Sequence, residues 1–428
     1  MGAFLQVLNS NRSKLWIFIP LVILYAISYF HRTGIPGTIF NELAKEGFTA
    51  EGISMLTSCF IMVYSFSQLI SGFLADKYSG IRVVMVGGFV FCVGAILFPF
   101  CRTILLMSCC RVIIGLGAST MFLSLVRESE RLFGRANFSV CLGLIYFIGY
   151  IGGVCGSYPF ERINHYFYWR HVMIVLGIFS VVMYGIFMLA ASKNTLPKPS
   201  NIPINFSPLL YIIKNPYSWL LCGCSCINFG VNSIIVMFCG KKILEDCGKY
   251  SSATASIVIS CMTLVCMTLL LLAGIFIRML KNRRKPLMIS SNITTFLSTV
   301  LILNTLYWCL PRYFLVIGFI MYAIASAGTI GYALVSQEVN SKDIMTLTTG
   351  FNNMINYFFV AIGSFLIGRV LNSFLPKDFA GGNFTYPLEA YMIVFWLILV
   401  VSGIGLILML FAPETRGHYF RLRMTSQK

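Results

Sequence analysis

Two basic turns, GFLADKYSGIR at residues 72–82 and GIFIRMLKNRR at residues 274–284, decide how this chain folds. They lie 202 residues apart, and each runs from an apolar helix end into a basic turn. Each also begins with a glycine and ends with a cation. Because each takes the same place within its half of a very hydrophobic chain, the repeat predicts two equivalent membrane bundles joined in the middle.

The composition around these turns is that of a membrane protein. The 428 residues are 58% hydrophobic and 11% charged, with a mean hydropathy of +0.83, whereas soluble domains carry roughly 25% charged residues. A spanning helix needs about 20 mostly apolar residues. Twelve stretches meet this need, near residues 15–42, 53–75, 83–101, 103–126, 138–157, 170–191, 216–239, 254–277, 287–310, 313–336, 345–372 and 389–412.

The longest polar interruption between these stretches divides the chain in two. It covers residues 192–215, and its prolines and asparagines cannot continue a helix. We therefore expect an all-α membrane protein with twelve transmembrane helices in two pseudo-symmetric six-helix bundles. The bundles are residues 1–191 and 216–412, joined by a cytoplasmic linker at 192–215 and followed by a cytoplasmic tail at 413–428.

The net charge of +18 orients the protein in its membrane. With the N-terminus inside, 20 of the 32 basic residues fall in the inside segments. This excess matches the positive-inside rule and predicts that both termini are cytoplasmic. We expect a monomeric, multi-pass protein of the cell's inner (cytoplasmic) membrane that contacts the lipid bilayer and a small-molecule substrate, and no nucleic acid.

The sequence does not indicate an enzyme. Its fifteen cysteines are scattered through apolar segments, where a free cysteine behaves as a small hydrophobe. The sequence has no intramembrane acid pair, no Cys/His metal spacing and no nucleophile with a base. We expect neither a metal nor another cofactor.

The first basic turn resembles the signature loop between the second and third helices of the major facilitator superfamily. The outline of six spans, a linker and six spans fits that family too. The resemblance implies a substrate site near the midplane, between two halves that rock against each other. It also implies that Asp76, Lys77 and Arg82 form a cytoplasmic charge network that locks one state. The alternative is an ordinary basic turn that obeys the positive-inside rule.

A second motif, RVIIGLGAS at residues 111–119, is similar to the fourth-helix motif of the superfamily. An arginine inside an apolar span is costly and usually faces a cavity or a partner. Arg111 is therefore a gating candidate, although it could also snorkel to the nearby surface. Gly115 and Gly117 are expected to let helices approach closely.

The stretch from Trp16 to Arg82, together with TGFNNMINY at residues 349–357, resembles the organophosphate:phosphate antiporters. That resemblance implies that Arg32 grips the phosphate, with Tyr25, Tyr29 and Tyr64 lining the cavity. The spacing agrees, since Tyr25, Tyr29 and Arg32 share one face of a helix. The planar fork of arginine suits phosphate or carboxylate.

The chain departs from that branch at its other cations. Asn232 stands at the position of the helix-seven arginine, and Gln68 at that of the helix-two lysine. One arginine under-compensates a phosphate dianion, so a monoanion, a carboxylate or a lightly charged sugar derivative would suit the cavity better. Gln68, Asn228 and Asn232 are candidate substrate contacts, although polar residues also join membrane helices without touching a ligand.

The positions of the acids bear on coupling. None of the fourteen falls in the middle of a predicted span, and proton relays commonly use intramembrane carboxylates or histidines. Only His31 offers a group that titrates near neutrality, and packing is the favoured interpretation for it. We expect an exchanger or a facilitator of a small organic anion that works by alternating access. The alternative is a transporter-like membrane sensor of a phosphorylated metabolite, which would bind its ligand without moving it.

The two basic turns differ in charge. Arg278 in the second copy stands where the first has Asp76. The second turn is therefore a gating candidate that must find an acid elsewhere, and Glu338 and Asp343 are the nearest on the cytoplasmic side.

Overall fold

The computed structural model describes residues 12–133, 135–193, 207–340, 344–374, 377–378, 384–416 and 418. Twelve long helices follow one another within these ranges. They are α1 (Arg12–Gly34), α2 (Ala50–Tyr78), α3 (Gly80–Leu97), α4 (Ile104–Phe133), α5 (Arg135–Cys155), α6 (Trp169–Ser192), α7 (Pro216–Ile234), α8 (Ser252–Met279), α9 (Lys285–Tyr307), α10 (Tyr313–Ala325), α11 (Met345–Asn372) and α12 (Leu388–Leu410).

The predicted twelve-helix fold is confirmed. Eleven of these helices, some with their continuations, are long and apolar enough to cross a membrane, and the remaining one, α5, is a helix of 21 residues. Two of the spans are continued past an irregular turn. A π-helical turn at Ile235–Cys239 leads from α7 into the helix Gly240–Asp246, and a 3-10 turn at Ser326–Gly328 leads from α10 into the helix Thr329–Glu338.

Short elements fill the ends of the bundles. The helices Phe40–Lys45 and Tyr158–Asn164 lie between long ones, and a small antiparallel pair, β1 (Lys377–Asp378) and β2 (Phe384–Thr385), precedes α12. The predicted linker also contains a helix, Ser207–Lys214, because the run PLLYII within it is apolar and its proline sits in the first turn, where a proline is tolerated. Residues 194–206 lie outside the described part of the chain.

The helices form two bundles, α1–α6 and α7–α12. Between them, α2 packs against α11 and α5 packs against α8. These are equivalent pairs, since the second helix of each half meets the fifth helix of the other. The pairing is that of two pseudo-symmetric halves.

Glycines bring neighbouring helices close together, as the sequence predicts. A Cβ on Gly115 of α4 would lie 2.7 Å from the carbonyl oxygen of Phe60 on α2. On α5, a Cβ at Gly152 would overlap the carbonyl of Ala26 on α1. Both positions need a residue without a side chain, which fixes the helices that surround the space between the halves.

Candidate substrate cavity

A cavity of about 260 Å³ lies between the two halves. Its walls come from α1, α2, α4 and α5 of the first half and from α7, α8, α11 and the continuation of α10 in the second. Nine of the 27 described lining residues are aromatic, and Gln68, Asn232, Thr349 and Asn353 are among the polar ones. Among the described lining residues, Arg32 is the only charged one. The aromatic members are Tyr25, Tyr29, Tyr64, Phe122, Tyr146, Phe147, Tyr150, Phe229 and Tyr357.

Arg32 sits in the last turn of α1 and is only 1% exposed. Its Nη1 donates a hydrogen bond of 2.8 Å to the hydroxyl oxygen of Tyr357, across the boundary between the halves. Three tyrosine rings surround the guanidinium carbon, with centroids at 4.4 Å for Tyr29, 4.3 Å for Tyr64 and 5.1 Å for Tyr357. Such cation–π contacts stabilise a desolvated cation by about 2 kcal/mol, but they supply no negative charge.

Two donors of this guanidinium are unsatisfied. Nε and Nη2 are buried and have no hydrogen-bond partner. A buried donor without a partner costs about 1–3 kcal/mol, and more when it is charged. These two N–H groups of a cation at the cavity wall therefore lack an acceptor, which an anionic ligand would supply.

Most of the predicted binding residues meet in this cavity. Tyr25, Tyr29, Tyr64 and Gln68 line it with Arg32, and Asn232 joins them from α7. Gln68 donates from Nε2 to the hydroxyl of Tyr64 at 3.4 Å and leaves Oε1 without a partner. The side-chain oxygen of Asn232 is also buried and without a partner.

Asn228 is not brought into the cavity. Its Nδ2 donates to Oδ1 of Asn292 at 2.9 Å, and its Oδ1 accepts from the hydroxyls of Ser291 and Thr295, both at 2.8 Å. All three partners lie on α9. Because its amide is fully used inside the second bundle, Asn228 joins α7 to α9, which is the alternative that the sequence left open.

Three tyrosines in the walls were not selected from the sequence. Tyr146 and Tyr150 lie four residues apart on α5, and that spacing on one helix face was an available signal. Tyr357 falls inside the TGFNNMINY segment, but nothing in the local sequence indicates that it meets a residue 325 positions away.

Arg111 neither snorkels nor faces the cavity. It is fully buried, and it donates to three backbone carbonyls, those of Leu56 (3.0 Å), His31 (2.8 Å) and Ile35 (3.0 Å). The carbonyl of His31 belongs to the last turn of α1, where carbonyl groups lack intrahelical partners. Arg111 thus caps the end of α1 beside Arg32. The His31 ring itself packs 5.6 Å from the ring of Phe91 and does not line the cavity.

One end of the space between the halves is closed by polar contacts. Lys241 Nζ donates to the carbonyl of Thr38 at 2.6 Å, and Asn41 Nδ2 donates to Oε2 of Glu245 at 2.6 Å. Lys241 and Glu245 also pair at 3.8 Å. We call Thr38, Asn41, Lys241 and Glu245 the latch. The sequence predicts that the seventh span ends near residue 239. In the structure the helix continues to Asp246, and both charged latch residues lie on this continuation.

The basic turns lie at the other end of the bundle. Lys77 and Arg82 are half-buried there, and the Lys77 ammonium lies 5.4 Å from the ring centroid of Tyr78. The side chains of Asp76 and Arg278, as well as Asp343, lie outside the described part of the structure. The charge network of the first turn therefore stays a prediction. Glu128, from α4, accepts a hydrogen bond of 3.3 Å from the amide of Ile81 at the start of α3.

Two acids, each near the end of a helix, contact the second basic turn. Arg284 pairs with Glu338 at 2.7 Å, and both side chains are at most 10% exposed. Glu414 accepts from the backbone amides of Arg284 (3.0 Å) and Lys285 (2.9 Å), at the first turn of α9. Burial alone would raise the pKa of Glu414, but these amides outweigh it and hold the pKa below its usual value. Glu338 was one of the two predicted partners of this turn.

Comparison with known proteins agrees with this architecture. The family model of the Major Facilitator Superfamily matches residues 21–364. The chain belongs to this superfamily. Its fold is also that of solved transporters. The nucleoside transporter NupG superposes with a TM-score of 0.71 at 16% identity, covering 92% of this chain and 98% of that one. A bacterial homolog of the human lysosomal transporter Spinster gives 0.73 at 13%, covering 94% and 97%.

Two curated proteins are similar in sequence over shorter stretches. The probable sulfoacetate transporter SauU of Cupriavidus necator is 24% identical over 38% of this chain and 37% of its own length. The chloroplastic sodium-dependent phosphate transport protein 1 of Arabidopsis thaliana is 22% identical over 51% of this chain and 46% of its own. The matches span less than half the length of either relative.

Proposed function

We propose that this protein carries small organic monoanions across a membrane by alternating access and works as an exchanger. The observation that carries the proposal is the free edge of Arg32, an almost fully buried cation in a cavity between two halves. The lining contains no carboxylate among its described residues, so the counter-charge has to come from the ligand. An uncompensated charge inside a membrane protein marks a substrate pathway.

The number of charges sets the ligand class. Arg32 is the one arginine among the described lining residues, and Gln68 and Asn232 stand where the organophosphate branch has cations. A monoanion neutralises that arginine, whereas a dianion leaves one charge in a site of low dielectric. Both curated relatives are named for anions, sulfoacetate and phosphate, which supports the anionic class without choosing the head group.

Exchange follows from the cost of an empty site. A carrier that changes from one open side to the other without ligand has to pass through a closed intermediate with an uncompensated guanidinium. This costs several kcal/mol. With an anion bound the site is neutral, so the loaded carrier reorients more easily. His31 does not line the cavity, which supports exchange over a histidine proton relay. If the basic turns are cytoplasmic, the latch closes the outer end of the space between the halves.

Counterflow in liposomes tests this proposal. Vesicles with the purified protein are loaded with one organic anion, and uptake of the same labelled anion is measured across a panel of carboxylates, sulfonates and phosphate esters. We expect uptake to require internal anion and to persist without a proton or sodium gradient. Arg32→Gln should reduce it about 100-fold, because two charge-assisted hydrogen bonds are lost.

Arg162→Gln is the matched control, since Arg162 is an exposed arginine in the short helix Tyr158–Asn164, away from the cavity. It should leave counterflow unchanged. Binding of an anion without any flux would favour the sensor. Uptake into empty vesicles at the full rate would refute exchange.

A further inference from the structure

We propose that the cavity selects planar carboxylate monoanions over tetrahedral sulfonates and phosphate esters, and that Tyr357 is the residue that sets this choice. The inference rests on the proposed function and deepens it by naming the head group. It stands on the geometry around Arg32, where one of three nitrogens is already occupied.

The occupied nitrogen decides how many ligand oxygens the guanidinium can bind. Nη1 donates to the Tyr357 hydroxyl at 2.8 Å, while Nε and Nη2 have no partner. These two N–H groups lie along one edge of the planar fork and point in parallel. Such an edge binds two oxygens of one acceptor group side by side. A carboxylate has two coplanar oxygens, and this edge can bind both of them.

A tetrahedral head group can place two oxygens on this edge, but its third oxygen has to lie elsewhere. The ring faces of Tyr29 and Tyr64 stand around the guanidinium, with centroids 4.4 and 4.3 Å from its carbon. These faces carry the negative side of the ring quadrupole and repel an anionic oxygen. Of the remaining N–H groups, one on Nη1 is already donated to Tyr357. The second charge of a phosphate ester would also lack a cation in the described lining.

Tyr357 is itself held in place. Its ring meets Tyr64 edge-on at 5.2 Å and Phe229 at 5.1 Å, and only 8% of it is exposed. Its hydroxyl is therefore directed at Arg32 by packing from both halves. Removing the hydroxyl would free one N–H group of Nη1 for a ligand oxygen while keeping the ring.

Two matched sets of anions test the choice at pH 8. Benzoate, benzenesulfonate and phenyl phosphate share an aromatic body, and acetate, methanesulfonate and methyl phosphate share a methyl group. The sulfonates separate shape from charge, since they are tetrahedral monoanions. Affinities are measured by calorimetry on the purified wild-type protein, Tyr357→Phe and Tyr322→Phe.

In the wild type, we expect the better carboxylate to bind at least about tenfold more tightly than the sulfonate and phosphate of its set, the value of one hydrogen bond to a charged group. Tyr357→Phe should reduce that ratio about tenfold, because the freed N–H group can then make one such bond to a tetrahedral anion. Tyr322→Phe removes the hydroxyl of another buried tyrosine, which bonds Thr299 within the second bundle and does not line the cavity, and it should leave the ratio within twofold.

A sulfonate or phosphate ester that binds the wild type as tightly as its carboxylate would overturn the inference, as would an unchanged ratio in Tyr357→Phe. If such a tetrahedral anion also shows Arg32-dependent counterflow, the head-group choice is wrong while the proposed function stands. If none of the six anions binds or exchanges, both fail.

Discussion

Replacing Asn41 by alanine should open the closed end of the transporter. The Asn41 amide donates to Glu245 at 2.6 Å, from the first half to the second. The Glu245 side chain is only 11% exposed, so solvent screens this bond little. Both groups would face water in a state that is open at this end, so their hydrogen bond favours the closed state alone.

The size of the effect follows from the kind of bond. A hydrogen bond to a charged group contributes about 1.5–3 kcal/mol. Glu245 keeps Lys241 at 3.8 Å as a counter-charge, which places the loss near the lower limit. A loss of about 1.5 kcal/mol moves the equilibrium between closed and open states roughly tenfold toward the open state.

Hydrogen exchange followed by mass spectrometry measures this shift. The amides of residues 35–45 and 238–247 should exchange about tenfold faster in Asn41→Ala, because exchange reports the open population. Asn164→Ala is the control, since Oδ1 of Asn164 is buried without a partner in the described structure. An increase of less than twofold in both segments, with the control unchanged, would refute the latch.

Three further predictions concern the scaffold. Glu338→Gln should lower the free energy of unfolding by about 3 kcal/mol, because it removes the carboxylate that pairs with the buried Arg284 side chain. Thermal unfolding of Glu389→Gln, at an exposed site, should match wild type. The pKa of Glu414 is lower in the folded protein than its usual value of 4.5. Glu414 therefore stabilises the folded state at pH values above 4.5, and this contribution is lost as the pH falls through the folded pKa. Unfolding scans should therefore show a shallower loss below about pH 4.5 in Glu414→Gln, and equal slopes would contradict the assignment. Gly152→Ala should lower the free energy of unfolding by about 1–3 kcal/mol through overpacking. Gly185→Ala, where a Cβ meets nothing within 4 Å, should not destabilise the protein. Equal melting temperatures for the two variants would contradict the prediction.

Much of the cavity wall was accessible from the sequence because it repeats along single helices. Tyr25, Tyr29 and Arg32 share a face of α1, and a lone cation in an apolar span marks a site wherever the helix packs. The same reasoning selected Asn228, whose amide instead serves α9. Periodicity indicates which residues share a face, but not which neighbouring helix that face meets.

The sequence by itself determined the twelve spans, the division into halves and the arginine on the tyrosine face of the first span. A bilayer imposes these requirements segment by segment, since each span must be apolar and must satisfy its own backbone. Only the tertiary structure decided which nitrogens of Arg32 stay free, because the third is bound by Tyr357, 325 positions away. It also decided where the halves close, through Asn41 and Glu245 from opposite bundles. Side-chain hydrogen bonds between helices depend on packing that brings distant segments together, and local sequence does not encode that packing.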